Sequence, residues 1–336
     1  MQDGTDSGAL RHDQIPEIAL AWHRAGRGAV LATVVETWGS APRQPGSQLV
    51  IDASGAIMGS VSGGCVEGAV ITEALEALED GRSRVLTFGI SDETAFAVGL
   101  ACGGTIRVLV EPVGIGLTED LLAELVAARA ARQPRVYAVH LGRWERRLVG
   151  LAYDPLTEAA AVRLRSDRSG LEEGDWFLAV HNPGLRMVIV GAVHIAQALA
   201  PMARACGYEV TLIDPRETFG AAARFPGERI LDEWPDAALA SLGPDARTAV
   251  VTLTHDTKLD DPAIRAALAS DVFYLGCLGS TRTHAKRLDR LRAAGVPDAQ
   301  LARIHAPVGL DIGAKTPAEI AVSVLAQITQ VLRQGA

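Results

Sequence analysis

Two cysteines in glycine-rich segments are the residues of this sequence best suited to chemistry. Cys65 lies in the segment SGGCVE and Cys102 in the segment CGGT. Because glycine has no side chain, Gly63, Gly64 and Gly103 let a ligand and the backbone come close to each thiol. The cysteines form no CxxC pair, so their spacing is not that of a structural zinc site. We expect thiols that bind a soft metal or transfer sulfur; the alternative is two buried cysteines in tight turns.

A second set of residues forms a nucleotide-binding pattern. The run VIVGAVHIA predicts a strand, a turn that begins at Gly191, and a helix, and a later strand ends at Asp214. Asp214 stands near the position where an acidic residue binds the ribose of a dinucleotide. Val193 occupies the place of the second glycine, where it adds bulk against a pyrophosphate. The pattern therefore predicts a Rossmann-like fold, and it leaves open whether Asp214 binds a nucleotide or pairs with Arg216.

The carboxyl ends of parallel strands meet at one edge of a sheet, where ligands bind in such folds. Three segments are expected at this edge: the turn that holds His194, the segment with His255, and the segment GCLGS with Cys277, Gly279 and Ser280. Two histidines, a thiol and the acid Asp256 that converge on one edge would make a binding site. The junction of Gly279 and Ser280 can in addition offer the amides of a helix N-terminus to an anion. The alternatives are a histidine at a helix cap, a polar turn and a buried cysteine.

The segment GSAPR supplies one further candidate. Arg43 beside a Ser-Ala-Pro turn is suited to hold a phosphate, together with Ser40. The alternative is an ordinary surface arginine.

The elements that position these residues indicate two kinds of domain. Residues 14–115 alternate helices and strands in an α+β pattern after a loose tail at residues 1–13. Residues 116–185 resemble a connecting subdomain that begins with a helix capped by Thr118. Residues 186–336 alternate short apolar strands with helices, which predicts a parallel sheet covered on both faces. In this last part Asp261-Pro262 is expected to start one helix, and Thr316-Pro317-Ala318-Glu319 to form the capping box of another.

Composition excludes several classes of protein. The chain of 336 residues has 32 Lys+Arg against 40 Asp+Glu, a net charge of −8, which disfavours binding to nucleic acid. No apolar run is long enough to predict a membrane span. The N-terminal residues lack the pattern of a secretory signal, and four cysteines are too few for a disulfide scaffold, so we expect a cytoplasmic protein.

Together these motifs resemble the XdhC/CoxI family, accessory proteins of xanthine dehydrogenase and carbon monoxide dehydrogenase. The resemblance rests on GSAPR, SGGCVE and CGGT in the N-terminal part, and on VIVGAVHIAQALA, DPR, RFP, THD, YLGCLGS and APVGLDIGAKTPAEIAVSVLAQI in the C-terminal part. It covers most of residues 28–115 and 186–330. The family's fold is a Rossmann-like domain that follows an α+β domain.

The resemblance implies a maturation factor that binds the molybdenum cofactor, either molybdopterin or its cytosine dinucleotide. Such a protein supports sulfuration of the cofactor with a cysteine desulfurase, inserts it into an apo molybdenum hydroxylase, and is typically a homodimer. By this resemblance, Cys65 and Cys102 would face the molybdenum or handle sulfur. Gly191, His194 and Asp214 would lie at the Rossmann nucleotide site, where an adenine nucleotide is the alternative ligand.

Two other functions compete with this one. The first is an NAD(P)- or FAD-dependent oxidoreductase that uses the cysteines in thiol redox chemistry, which would make the chain an enzyme rather than a chaperone. The bulk of Val193 disfavours it. The second is a regulator that senses a nucleotide and acts through contacts with partners.

Overall fold

The computed structural model describes residues 14–39, 43–89, 104–150, 154–216 and 222–334. The tail at 1–13 and the candidate residues Ser40, Cys102 and Gly103 lie outside these ranges. The chain divides into two compact units, Met1–Pro183 and Gly184–Ala336. No helix of the described residues combines the length and the apolar character that a membrane crossing requires.

The first unit is built on two antiparallel sheets. One sheet has the strand order β3-β2-β1-β5-β4 and the other has the order β7-β6-β9-β8. The strands are β1 Val30–Trp38, β2 Gln48–Ile51, β3 Ile57–Gly59, β4 Arg84–Phe88, β5 Thr105–Pro112, β6 Arg135–His140, β7 Arg146–Val149, β8 Gly170–Glu172 and β9 Trp176–His181. The helices are α1 Ile15–Arg24, α2 Glu67–Asp80, α3 Glu119–Ala130 and α4 Thr157–Ser166.

Successive side chains of a strand point to opposite faces of its sheet, and in both sheets the side chains on each face are mostly apolar. Each sheet therefore has two buried faces. Helix α2 covers one face of the first sheet through Val70 and Ala74, which pack against Val30 and Val108. The opposite face shares a core with α1, α3 and the second sheet, in which Leu31 and Phe177 take part. The segment that the sequence sets apart as a connecting subdomain thus contributes a sheet to this same unit. It also contains α4, whose Ala160 packs on the second sheet.

The second unit confirms the predicted Rossmann-like fold. Its six strands are all parallel, in the order β12-β11-β10-β13-β14-β15. They are β10 Arg186–Val190, β11 Glu209–Ile213, β12 Arg229–Leu231, β13 Thr248–Thr252, β14 Tyr274–Cys277 and β15 Ile304–His305. The helices are α5 His194–Ala205, α6 Pro235–Leu242, α7 Thr257–Leu268, α8 Thr281–Ala293, α9 Asp298–Leu301 and α10 Pro317–Gln334.

Helices cover both faces of the parallel sheet, as the continuous apolar strands require. Leu199 of α5 and Val324 of α10 pack on one face, and Ile264 of α7 and Leu291 of α8 pack on the other. The chain order reverses between β10 and β13, so the ligand-binding edge expected of such folds lies at the loops after these strands.

One predicted helix start is wrong. Helix α7 begins at Thr257 rather than after Asp261, because the side chain of Asp256 accepts a hydrogen bond from the amide of Lys258 (2.9 Å) and caps the helix. Pro262 therefore lies inside the helix instead of at its first position. The other two caps are confirmed: Thr118 accepts from the Leu121 amide, and Thr316 and Glu319 form the capping box of α10.

Candidate functional site

Cys65 lies in a loop of residues 60–66 that connects β3 to α2. The helix begins at Glu67 after Val66 as its N-cap, so the thiol stands just before the helix N-terminus. Cys65 is half-buried, and its side chain packs against the core under α2. A Cβ added at Gly64, the residue before Cys65, would meet no atom within 4 Å other than those of its chain neighbours, so Gly64 borders open space.

The carboxylate of Glu67 organises this loop from inside. Its Oε1 accepts from the hydroxyl of Ser60 (2.7 Å) and from the amides of Val61 (3.2 Å) and Ser62 (2.9 Å). Its Oε2 accepts from the amide of Gly64 (2.8 Å) and from the hydroxyl of Ser62. Burial alone would raise the pKa of Glu67, but these hydrogen bonds outweigh it and lower the pKa to about 2.

The two glycines of the loop have a conformational role. Gly63 and Gly64 have φ values of 76° and 110°, which are unfavourable for residues with a side chain. Their amides, however, are already engaged: Gly63 donates to the hydroxyl of Ser60 (2.9 Å) and Gly64 to Glu67. In this conformation Cys65 is partly exposed, while the amides of Gly63 and Gly64 are occupied by partners within the loop.

Sequence reasoning missed Glu67. The signal was present, because an acidic residue at the start of a helix that follows a Ser/Gly segment is a common way to satisfy free amides.

Arg43 is partly exposed beside residues 40–42, which are outside the described ranges, and its phosphate-binding role stays a prediction.

At the second unit's sheet edge, the predicted loops do come together. Gly191 follows β10 with a φ of 105°, and a Cβ there would lie 2.5 Å from the Cγ2 of Thr254, which follows β13. Only glycine allows this approach of the two loops. His194 is exposed at the first position of α5, and the preceding Val193 is partly buried against the core.

Asp214 is fully engaged inside the protein. Its Oδ2 accepts from the amide of Ala192 (2.8 Å) and from the Arg216 guanidinium (2.7 Å), and its Oδ1 accepts from Arg216 as well (2.8 Å). Burial opposes its charge, but these hydrogen bonds keep the pKa of Asp214 below its usual value. Pairing with Arg216 was the alternative left open by the sequence, and it is the arrangement observed.

Cys277, at the end of β14, occupies a different environment from Cys65. It is completely buried in the core under α7 and α8, and burial raises the pKa of its thiol to about 11. A neutral, buried thiol is a poor nucleophile and a poor metal ligand. Cys277 is therefore a packing residue, which was the alternative interpretation of its position.

The segments after β13 and β14 meet at a pocket. His255 is exposed with a φ of 149°, a strained value for a residue with a side chain. Ser280 caps α8 by accepting from the amide of Thr283 (3.2 Å), and Gly279 before it has a φ of 135°. A pocket of about 140 Å³ lies between them. Its lining consists of His255, Thr257, Asp260, Arg282, Thr283, Lys286, Arg287 and Arg290.

Within the described part of the chain, no three His, Cys, Asp or Glu side chains are grouped so that they could hold a metal ion. Cys65 is a partly exposed thiol within the described ranges, and Cys102, its predicted partner, lies outside them.

Comparisons with known proteins agree with this architecture. The family model described as the XdhC and CoxI family matches residues 22–89, and the model of the XdhC Rossmann domain matches residues 187–328. The chain therefore belongs to the XdhC/CoxI family.

Individual relatives match over nearly the whole chain. The molybdenum cofactor insertion chaperone PaoD of Escherichia coli is 36% identical over 95% of this chain and 88% of its own length. A Bacillus subtilis protein described as a probable xanthine dehydrogenase subunit is 27% identical over 92% of this chain and 94% of its own. A solved structure from Bacillus halodurans, described as a xanthine dehydrogenase, has the same fold, with a TM-score of 0.73, 24% identity and 97% of both chains covered.

Proposed function

We propose that this chain binds the molybdenum cofactor as cargo, supports its sulfuration and inserts it into an apo molybdenum hydroxylase. The hydroxylase would be of the xanthine dehydrogenase, aldehyde oxidase or carbon monoxide dehydrogenase type. The cargo would be molybdopterin or its cytosine dinucleotide, and a cysteine desulfurase and a second copy of this chain would be further partners.

The observation that carries this proposal is the presentation of Cys65. The thiol is partly exposed just before the N-terminus of α2, on a loop whose conformation is fixed by five hydrogen bonds to Glu67. A soft molybdenum centre is suited to a thiolate ligand, and a rigid loop holds that thiolate without losing entropy on binding. The relation to a cofactor insertion chaperone over nearly the full chain supports the same function.

The surroundings of Asp214 weigh against the alternative of a dinucleotide-dependent oxidoreductase. An acidic residue that binds a ribose needs a free carboxylate oxygen, whereas Asp214 receives its hydrogen bonds from Ala192 and Arg216. The bulk of Val193 at the start of α5 acts in the same direction. Purified protein with bound NAD or flavin would restore the alternative.

The proposal is tested by cofactor retention. The chain and its Cys65→Ala variant are purified anaerobically from a host that makes the cofactor, and bound pterin is oxidised to its fluorescent form while molybdenum is measured by elemental analysis. Loss of a thiolate ligand is expected to lower both contents at least several-fold. Cys102→Ser tests the second predicted thiol in the same assay.

The matched control is Cys206→Ala, because Cys206 is an exposed free cysteine at the end of α5 in the second unit. It is expected to retain as much pterin and molybdenum as the unsubstituted chain. Undiminished contents in both Cys65→Ala and Cys102→Ser would refute the role of the thiols, and absence of pterin from the unsubstituted chain would refute cargo binding.

A further inference from the structure

The pocket at the start of α8 has the size and position of a site for a small anion. Its volume of about 140 Å³ is well below the roughly 300–1,000 Å³ of pockets that enclose a whole drug-sized ligand. It lies at the carboxyl end of the parallel strands, where α8, a helix of 13 residues, directs its N-terminus. The pocket therefore suits one charged group rather than a complete dinucleotide.

Arg287 contributes a buried guanidinium to this pocket with two of its nitrogens unpaired. The side chain is 2% exposed, and its Nη2 donates to the carbonyl of Leu278 (2.8 Å). Its Nε and Nη1 are buried and have no hydrogen-bond partner. Asp260 is the nearest counter-charge, at 3.9 Å from Nη2. A buried charge with free donors is costly unless a partner of opposite charge occupies the adjoining space.

Further positive charge surrounds this guanidinium. Arg282 and Lys286 are exposed one turn apart on α8, line the pocket, and form no ion pair with any residue in the described ranges. Arg290 is already held by Asp261 through two hydrogen bonds of 2.7 and 2.9 Å. Three cations are thus available to a ligand.

Asp260 is the carboxylate that lines the pocket, and its charge is partly compensated within the protein. Its Oδ1 accepts from the hydroxyl of Thr254 (2.6 Å), and its Oδ2 faces Arg287. Even when Asp260 is counted against Arg287, the balance of charge in the pocket remains positive, because Arg282 and Lys286 are left over.

We propose that this pocket binds a phosphate group, with Arg287 as the buried anchor and Arg282 and Lys286 at the entrance. A phosphate offers several acceptor oxygens and up to two negative charges, which match a planar guanidinium and two flanking cations better than a single carboxylate does. The phosphate would belong either to a pterin cofactor or to a free nucleotide. This inference does not depend on the chain being a chaperone.

Isothermal titration calorimetry of the purified full-length chain with inorganic pyrophosphate tests the site. Arg282→Ala and Lys286→Ala remove exposed side chains and leave the core intact, and each is expected to weaken binding about tenfold, the loss of one charge-assisted contact. Arg292→Ala, which removes a cation from the same helix outside the pocket, is expected to change the affinity less than twofold. Binding that is absent, or unchanged in the double variant, would overturn the proposal.

Two further measurements define the ligand. Acetate at the same concentration is expected not to compete with pyrophosphate, and equal competition would overturn the preference for phosphate. ADP and CDP separate the two sources: tighter binding of ADP than of CDP, lost in the same variants, indicates a free adenine nucleotide, whereas tighter binding of CDP indicates the cytosine dinucleotide form of the cofactor. Equal binding of ADP, CDP and pyrophosphate indicates recognition of the phosphate alone.

Arg287→Met tests the anchor by stability. Without pyrophosphate, the variant is expected to unfold at a lower temperature than the unsubstituted chain, because Asp260 loses its buried counter-charge and the Leu278 carbonyl loses a donor. Pyrophosphate then raises the melting temperature of the unsubstituted chain only. A variant that folds and is stabilised equally by pyrophosphate would overturn the role of Arg287. If the variant does not fold, the Arg282 and Lys286 titrations decide.

Discussion

Two buried charged side chains, Glu67 and Arg287, have very different surroundings. Glu67 is 8% exposed and accepts five hydrogen bonds from its own loop. Arg287 is as deeply buried, yet Nε and Nη1 have no partner. A fully satisfied charge fixes the local backbone, whereas an unsatisfied one is stabilised further by a ligand of opposite charge. We therefore assign Glu67 to the positioning of Cys65 and Arg287 to binding.

The role of Glu67 predicts the effect of Glu67→Gln. Whichever oxygen the amide NH₂ group replaces, it would face at least one backbone N–H that can only donate, so at least one hydrogen bond is lost and one donor is left buried. We expect the free energy of unfolding at pH 7 to fall by about 2 kcal/mol, measured by chemical denaturation, and molybdenum retention to fall with it. Glu79→Gln, at an exposed position of the same helix, is the control and is expected to change stability by less than about 0.5 kcal/mol.

The difference in stability between the unsubstituted chain and Glu67→Gln is expected to depend on pH. The pKa of Glu67 lies at about 2 in the folded chain and near 4.5 without its partners. Because the folded pKa is depressed, the stabilisation by the carboxylate is complete above pH 4.5 and is lost as the pH falls towards 2. The stability difference between the unsubstituted chain and Glu67→Gln should therefore shrink over this range. A difference that is constant between pH 6 and pH 3 would contradict the role of the charge.

At the scale of elements, the sequence predicts best where a local signal and the tertiary contacts agree. The strand that leads to Asp214 and the capping box at Thr316 are found where the pattern places them. Helix α4, Thr157–Ser166, has one buried residue, Ala160, and so lacks the apolar periodicity that would have revealed it. The start of α7 was misplaced because Asp261-Pro262 is a typical first turn, and Asp256 precedes it by little more than one turn.

At the candidate site, too, the sequence predicts those features that have a local signal and misses those that depend on tertiary contacts. The exposure of Cys65 before a helix was predictable from the glycines around it. The buried guanidinium was not, because Arg287 belongs to the run TRTHAKRLDRLRA, which looks like a solvated basic helix. Its burial results from α8 packing beside α7 and the loop of Leu278, a tertiary contact that the residue pattern of α8 alone does not show.

The corrected start of α7 predicts which aspartate caps the helix. Asp256→Ala leaves the amide of Lys258 without its acceptor, and we expect the free energy of unfolding to fall by about 1 kcal/mol. Lys258→Ala keeps that amide and its hydrogen bond, so denaturation curves of this control should stay within about 0.5 kcal/mol of the unsubstituted chain. An equal loss in both variants would show that the cap contributes no stability.

At the scale of the whole molecule, each apolar core formed by the described residues belongs to one of the two units. The two cores of the Rossmann-like unit consist of residues between Leu185 and Val331. In the first unit, by contrast, Ile15 and Leu31 share a core with Tyr137 and Phe177, so its two sheets depend on each other. Each unit therefore has the apolar burial of an independent domain, and the first one requires both of its sheets.

This distribution of cores predicts the behaviour of fragments. Residues 184–336 keep both faces of the parallel sheet covered, so the fragment should be soluble and unfold in a single cooperative transition followed by circular dichroism. A fragment of residues 116–336 retains the second sheet of the first unit but lacks α1 and β1, and the exposed side chains of Tyr137 and Phe177 should make it aggregate. If the longer fragment were the soluble one and the shorter one failed to fold, the boundary at residue 184 would not separate two folding units. If the shorter fragment folds, it should bind pyrophosphate as the full chain does, because every residue that lines the pocket at α8 is retained.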